Sequence, residues 1–138
     1  MKSRFALDAQ DVKAALAAAE EHALQRGFCV SIAIVDDGAH LLGFLRMTDA
    51  SPMSAAIAQH KARTAALSRR ESKHYDDSVK NGRLAFLGLP EVVALEGGVP
   101  IIADGQCIGA VGVSGVKSNE DAEVGAAGIE AIFARPLP

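Results

Sequence analysis

One lysine, Lys61, lies at a predicted apolar position, where its charge needs a partner. Lys61 belongs to an alanine-rich stretch that is predicted to be a helix from Pro52 to about Arg70. It follows Ile57 by four residues and precedes Ala65 by four, so it lies on or beside the apolar face of that helix. An ammonium group there must reach solvent, pair with a carboxylate or serve a binding site. The residues alone leave these outcomes open, with the structural ones favoured.

A glycine-rich stretch, residues 96–115, is the second feature with chemical potential. It predicts two strands joined at Asp104-Gly105, because Asp-Gly between apolar runs favours a tight hairpin turn. The second strand has a glycine at every third position: Gly109, Gly112 and Gly115. Such glycines indicate close approach of a helix, another backbone or a ligand. Their spacing matches neither the dinucleotide fingerprint nor the phosphate-binding P-loop.

Histidines and cysteines give weaker indications. His22 lies one position off the apolar stripe of the first predicted helix and is best explained as a solvated residue. His60 and Thr64 share a helical face, which is a weak pattern for a metal site. Cys29 and Cys107 lie among strand-like residues without zinc-site spacing, so we expect two buried free thiols, with a disulfide only if their strands are neighbours.

Composition narrows the class of protein. The 138 residues are enough for one domain, and 49% hydrophobic residues predict a globular chain. A net charge of −3 without a basic block argues against nucleic-acid binding. The positively charged start, Met1 to Arg4, is followed by no apolar segment of a signal peptide, and no run approaches the length of a membrane span. We therefore expect a cytoplasmic protein that makes no membrane contact.

The remaining segments must position these residues. Start signals at Asp8 and at Ser51-Pro52 predict the first two long helices, and a β-branched run, Val30–Val35, predicts a central strand covered on both sides. The element order is a helix, a hairpin, a helix, a short helix, a second hairpin and a helix. This order predicts an α+β fold with helices packed on an antiparallel sheet. A fifth strand is expected from Val92–Leu95.

Several segments together resemble the GlcG/HbpS family of small haem-binding proteins, over nearly the whole chain. The most specific are Val35–Leu42, Arg46–Ala50, Lys61–Ala66, Gly97–Pro100 and Gly109–Gly115. The similarity is greatest to the GlcG branch, which is associated with glycolate-utilisation genes. The resemblance implies a single domain over residues 1–138, a profilin-like sandwich and homo-oligomers that include octamers.

The resemblance also implies haem or a related tetrapyrrole as a ligand. The motif marks no axial ligand, so every histidine is a candidate: His60, His40, His22 and His74. The candidate ligand-binding residues are Lys61, Arg46, Thr64, Gly97, Gly98 and Ser114.

An alternative hypothesis is a small enzyme, or a binding protein, for a small carboxylate of the 2-hydroxy-acid type. Arg46, Lys61 and backbone N–H groups of the glycine-rich stretch would then meet an anion. Lys61, Asp121 and Glu96 would be the catalytic candidates, with either carboxylate acting as a base. A tetrapyrrole needs a flat apolar cleft with a reachable histidine, whereas a small acid needs a compact polar cavity at Lys61 or Arg46.

A third hypothesis is an oligomeric scaffold without a small ligand. Small residues such as Ala62, Ala66 and Gly112 would then pack in subunit interfaces. The sequence leaves open whether the protein catalyses any reaction.

Overall fold

The computed structural model describes residues 1–136, in which helices cover both faces of a four-stranded antiparallel sheet. The strands are in the order β2-β1-β4-β3. The elements are α1 (Ala9–Arg26), β1 (Ser31–Asp36), β2 (Leu41–Arg46), α2 (Pro52–Ser68), α3 (Lys73–Lys80), a 3-10 turn (Leu84–Gly88), β3 (Gly98–Ala103), β4 (Gln106–Ser114) and α4 (Ser118–Ala134). None of these helices is both long and apolar enough to cross a membrane.

The predicted α+β class and antiparallel sheet are confirmed, but the fifth strand is wrong. Within residues 1–136 the segment Val92–Leu95 forms no strand. The N–H of Val93 donates to Oγ1 of Thr64 on α2, 2.9 Å away. The segment therefore lies against a helix, where its amide is unavailable to the edge of the sheet. The profilin-like description stays a prediction from the resemblance.

Both predicted Asp-Gly hairpins form. Asp104 and Gly105 have φ of 52° and 72°, the positive values that a two-residue primed turn requires. In the first hairpin, Oδ1 of Asp36 accepts hydrogen bonds from the N–H groups of Gly38 and His40. The turn residues therefore set the register of both hairpins.

Strand β1 is central and covered on both sides, as predicted. Ile32 and Ile34 face the larger core, which α1 and α4 complete, and Ala33 and Val35 face α2. The α2 side of this second core is made of alanines: Ala58, Ala62, Ala65 and Ala66. Because alanine is small, α2 can lie very close to the sheet.

Gly112 shows how close that approach is. A Cβ placed on it would lie 2.1 Å from the carbonyl oxygen of Ala58 and 2.4 Å from the nitrogen of Ala62. Helix approach therefore explains this glycine. It also corrects the scaffold hypothesis, because Ala62, Ala66 and Gly112 pack inside one chain and are not available to a subunit interface.

The two cysteines are free thiols, but only one is buried. Cys107 is buried at the start of β4, whereas Cys29 is exposed in the link between α1 and β1. The expectation of burial was wrong for Cys29 because the link has no covering layer. Ser31 pairs with Ser114, so Cys29 lies beyond the far end of β4 from Cys107.

Candidate functional site

Lys61 forms a buried ion pair with Asp121. Its Nζ lies 2.9 Å from Oδ2 of Asp121 and donates a second hydrogen bond to the carbonyl oxygen of Val113 at 3.0 Å. The side chains of Lys61 and Asp121 are only 3% and 2% exposed. Of the outcomes open for Lys61, the structure therefore shows pairing with a carboxylate. The pair ties α2 to the last part of β4 and to the first turn of α4.

Asp121 is held by more than its charge partner. Its Oδ1 accepts the N–H of Val116 at 3.1 Å, and its position in the first turn of α4 suits a negative charge. Burial raises the pKa of Asp121 above its ordinary value, while the hydrogen bond and charge of Lys61 lower it. The charged form of Asp121 is therefore stabilised by Lys61, by the Val116 N–H group and by its place in the first turn of α4.

The paired glycines at the start of β3 make room for Lys61. A Cβ on Gly97 would lie 2.8 Å from the lysine Nζ, and a Cβ on Gly98 would lie 2.1 Å from the carbonyl oxygen of Lys61. The N–H of Gly98 already donates to Oγ of Ser72 at 2.8 Å. Gly97, Gly98 and Lys61 thus form one packed unit, and the Gly98 amide is occupied within the chain.

The other predicted ligand-binding residues are dispersed. Thr64 is buried, and its hydroxyl donates to the carbonyl oxygen of His60 while accepting the Val93 N–H. Ser114 is buried at the end of β4, with its backbone paired to Ser31. Arg46 is exposed at the end of β2, on the opposite edge of the sheet from β3.

The third catalytic candidate, Glu96, is half-buried. Its backbone N–H donates to Oδ2 of Asp76 at 2.9 Å. The structure therefore joins Lys61 and Asp121 directly, while Arg46 lies on the other edge strand from the glycines.

Of three histidines, two already contact carboxylates and the third is exposed on a helix. His22 is partly buried, and its Nε2 lies 2.6 Å from Oε2 of Glu123, so it bridges α1 and α4 rather than being simply solvated. Nδ1 of His40 lies 3.1 Å from Oδ1 of Asp36 in the first hairpin turn. His60 is exposed on α2. Within residues 1–136, no three His, Cys, Asp or Glu side chains are grouped closely enough to hold a metal ion.

His74 has a different environment, because it lies beside two aromatic rings. Its ring centroid is 5.1 Å from that of Tyr75 and 6.2 Å from that of Phe86. The rings of Tyr75 and Phe86 meet edge to face at 5.1 Å. Nε2 of His74 lies 3.1 Å from Nη1 of Arg70. We call His74, Tyr75 and Phe86 the aromatic cluster.

This cluster borders an open, charged cavity. His74 lines a cavity of about 490 Å³ together with Arg69, Arg70, Glu71, Lys73 and Asp77. The adjoining 3-10 turn exposes Leu84 and Leu87. Sequence reasoning singled out neither Tyr75 nor Arg70, because the short helix α3 has mostly charged and polar residues. The available signal was the only tyrosine of the chain next to a histidine, with Phe86 eleven residues further on.

Comparison with known proteins decides the family. The family model described as haem degrading protein HbpS-like matches residues 7–130. The chain belongs to this family. The predicted recognition is thereby confirmed.

Relatives of this HbpS-like chain include proteins of known structure. Over 114 residues it is 54% identical to protein GlcG of Escherichia coli K12, covering 83% of the chain and 85% of that protein. A double mutant of Streptomyces reticuli HbpS is 27% identical with a TM-score of 0.85, covering 94% of this chain and 89% of that one. A PduOC–haem complex is 30% identical with a TM-score of 0.83, covering 92% and 95%.

Proposed function

We propose that this protein is a small oligomeric protein that binds haem or a related tetrapyrrole. Membership of the HbpS-like family supports this, as does the similarity to a PduOC–haem complex. The structural observation that carries it is the aromatic cluster, because it places an exposed histidine beside apolar rings. When bound, haem would supply a redox-active iron, and the residues of the chain would bind and orient it.

The residues around His74 fit such a ligand. Imidazole is a common axial ligand of haem iron, and His74 is exposed. Phe86 and the exposed Leu84 and Leu87 of the 3-10 turn offer an apolar surface for a flat ring. We therefore propose His74 as the axial ligand among the four histidines.

Cations next to His74 suit the carboxylates that haem carries. Arg70 and Lys73 line the same cavity as His74. The Nη1 of Arg70 now lies against Nε2 of His74. Ligation through that nitrogen would release the guanidinium, which could then pair with a propionate group. Lys73 is an i,i+4 partner of Asp77, at 2.6 Å, so Arg70 is the better candidate.

The small-carboxylate alternative has less support from the geometry. The Lys61 ammonium is almost fully buried and already meets a carboxylate and a carbonyl oxygen. The Gly98 amide is taken by Ser72, and Arg46 lies on the other edge of the sheet. A small acid at Lys61 would have to displace Asp121 from a buried site, which is costly.

A haemin titration followed by absorbance tests the proposal. The parent protein should give a saturable Soret shift at one haem per chain. His74→Ala should remove the shift, whereas the matched variants His22→Ala, His40→Ala and His60→Ala should keep it. Loss in another variant would reassign the ligand, and no shift in the parent would contradict haem binding. Circular dichroism of each variant controls for folding.

The oligomer has a candidate contact surface on α4 and β3. An apolar depression of about 600 Å³ is lined by Val99, Pro100, Ala126, Ile129, Phe133 and neighbours. Phe133 is exposed there. Aromatic residues are enriched where proteins associate, so an exposed phenylalanine favours a contact surface. We propose that copies of the chain meet on this surface.

The resemblance to the GlcG branch supports a role beside glycolate utilisation. We propose that deleting the gene in its source organism slows growth on glycolate but not on glucose. A plasmid carrying the parent gene should restore growth, and one carrying His74→Ala should not. Equal growth of the deletion strain on both carbon sources would contradict this role.

A further inference from the structure

A second cavity, on the other side of Arg69, has an unusual concentration of positive charge. It has a volume of about 530 Å³ and is lined by Lys2, Arg4, Arg69, Ile102, Gly105, Gln106 and Cys107. Three of these seven residues are cations, although the whole chain has a net charge of −3. A cationic cavity in an acidic protein favours an anionic ligand. We call it the Arg69 cavity.

The fold brings the N-terminal arm to this place. Leu7 packs against the larger core, and a Cβ on Gly109 would lie 2.5 Å from the carbonyl oxygen of Val35 and 2.8 Å from Cδ1 of Leu7, so this glycine makes room for both the neighbouring strand and the arm. Arg4 is then tied down by an ion pair between its Nη2 and Oδ2 of Asp37, at 2.6 Å. The arm therefore carries Lys2 and Arg4 to the β3–β4 hairpin.

Arg69 is oriented by the backbone. It ends α2 in the left-handed region, with φ of 60°, where glycine is the usual residue. Its Nη1 donates to the carbonyl oxygens of Ala66 and Asp37. These bonds involve one nitrogen of the guanidinium, and within residues 1–136 no carboxylate lies within 4.0 Å of it.

The charges of the Arg69 cavity are not balanced. Among the described residues, Asp37 pairs with Arg4, while neither Lys2 nor Arg69 forms an ion pair. Like charges gathered around one cavity repel each other, and a bound anion removes that repulsion. A guanidinium also matches the paired oxygens of a carboxylate or phosphate group. Ile102 and Cys107 supply apolar surface beside the cations.

We propose that the Arg69 cavity binds a small organic anion through a phosphate or carboxylate group. The anionic group contacts Arg69 and Lys2, and the carbon part of the ligand lies on Ile102. This site is distinct from the aromatic cluster and does not depend on haem binding.

Calorimetric titration with two probes, inorganic phosphate and acetate, tests this proposal. We expect saturable binding of at least one probe at one site per chain, and the tighter probe identifies the anionic group. Arg69→Gln should weaken that binding about tenfold or more, as expected for losing a charge-assisted hydrogen bond. Lys2→Gln, a change in the N-terminal arm, should weaken it as well and leaves the core intact.

Arg46→Gln is the matched control, because Arg46 is also exposed but lies on the opposite edge strand. It should bind the probe as the parent does. His74→Ala should also bind normally, which separates this site from the proposed haem site. Two-dimensional NMR should show the largest shifts at the amides of Gly105 and Gln106.

Three results would overturn the proposal. They are no saturable binding of either probe, equal affinity of Arg69→Gln and the parent, and loss of binding in Arg46→Gln or His74→Ala.

Discussion

At the scale of single residues, the central feature is the buried pair of Lys61 and Asp121. The two groups are 60 residues apart in sequence, yet their charged atoms are 2.9 Å apart. Each also satisfies a backbone group near the end of β4, at Val113 and Val116. Removing one partner of a buried pair leaves an uncompensated charge, which costs far more than the pair itself contributes.

Replacing Lys61 by methionine should therefore destabilise the protein strongly. We expect a loss of about 3–5 kcal/mol in the free energy of unfolding, because Asp121 stays buried without its cation. Urea unfolding measures this loss. The control is Lys117→Met, a change at an exposed lysine next to α4. A loss below about 1 kcal/mol, the level of a surface ion pair, would contradict the role of Lys61 in the fold.

The double variant Lys61→Met/Asp121→Leu gives a second test of the same pair. It removes both charges, so we expect it to be more stable than Lys61→Met alone. Urea unfolding of both variants measures the difference. If the double variant were the less stable one, the penalty could not be assigned to an unpaired Asp121.

Asp36 allows a prediction about pH. Partial burial of Asp36 raises its pKa, but the N–H groups of His40 and Gly38 outweigh this and hold the pKa below 3.8. Because the pKa of Asp36 is lower in the folded state than its ordinary value of 3.8, the ionised carboxylate stabilises the fold above pH 3.8. This stabilisation is lost as the pH falls through the pKa of the folded state. The stability difference between the parent and Asp36→Asn should therefore shrink from pH 7 to strongly acidic pH.

Unfolding in urea at several pH values checks this prediction. Asp49→Asn, a change at an exposed aspartate, is the control and should show a small difference throughout. A parent–variant difference that stays constant down to the lowest pH would contradict the role of the ionised Asp36 carboxylate in the turn.

At the scale of elements, the closeness of α2 to the sheet determines which residues are tolerated. Alanines on α2 and glycines on β3 and β4 allow backbone to meet backbone. This approach also brings Lys61 to the end of β4. The small side chains are therefore a condition for the ion pair, as well as for packing.

Gly112→Ala should disrupt this contact. Its Cβ would meet backbone atoms of Ala58 and Ala62 that cannot move without shifting α2. We expect a loss of roughly 1–3 kcal/mol or more, typical of overpacking. Thermal unfolding compares it with Gly88→Ala, where the added Cβ meets nothing within 4 Å. Equal melting temperatures for the two variants would show that α2 can shift freely.

At the scale of the whole molecule, helices cover both faces of the sheet, but the outer side of α4 and the edge strand β3 still expose apolar residues. Phe133 and Ile102 are exposed there within one chain. Pro100 lies in β3, on the edge of the sheet, where its missing N–H blocks simple strand addition. Association through side chains is therefore favoured over extension of the sheet.

Phe133→Glu should consequently reduce the mass of the proposed oligomer. A charge in an apolar contact surface is costly to bury, so the assembly should dissociate while each chain stays folded. Light scattering after size exclusion measures the mass, and circular dichroism reports folding. The control is Leu24→Glu, at an exposed leucine on α1. An unchanged mass for Phe133→Glu would exclude this surface.

Local patterns by themselves determined the elements. Asp8 and Ser51-Pro52 mark the helix starts, and the two Asp-Gly turns mark the hairpins, because caps and turns depend on neighbours within a few residues. The run Val30–Val35 indicated a doubly covered strand because it is apolar at consecutive positions, and alternate residues of a strand face opposite sides of the sheet. The strand predicted at Val92–Leu95 was wrong. Its β-branched residues fit a strand, but the Val93 N–H donates to Thr64 on α2, which is distant in sequence.

Only the tertiary structure decided which chemical groups meet. It paired Lys61 with Asp121, placed Phe86 beside His74, and gathered Lys2, Arg4 and Arg69 around one cavity. Lys61 and Asp121 are 60 residues apart, and Arg69 is more than 60 residues from Lys2 and Arg4, so no local pattern relates these positions. Their meeting depends on how closely α2 and the N-terminal arm lie on the sheet, which the packing of Gly109 and Gly112 sets.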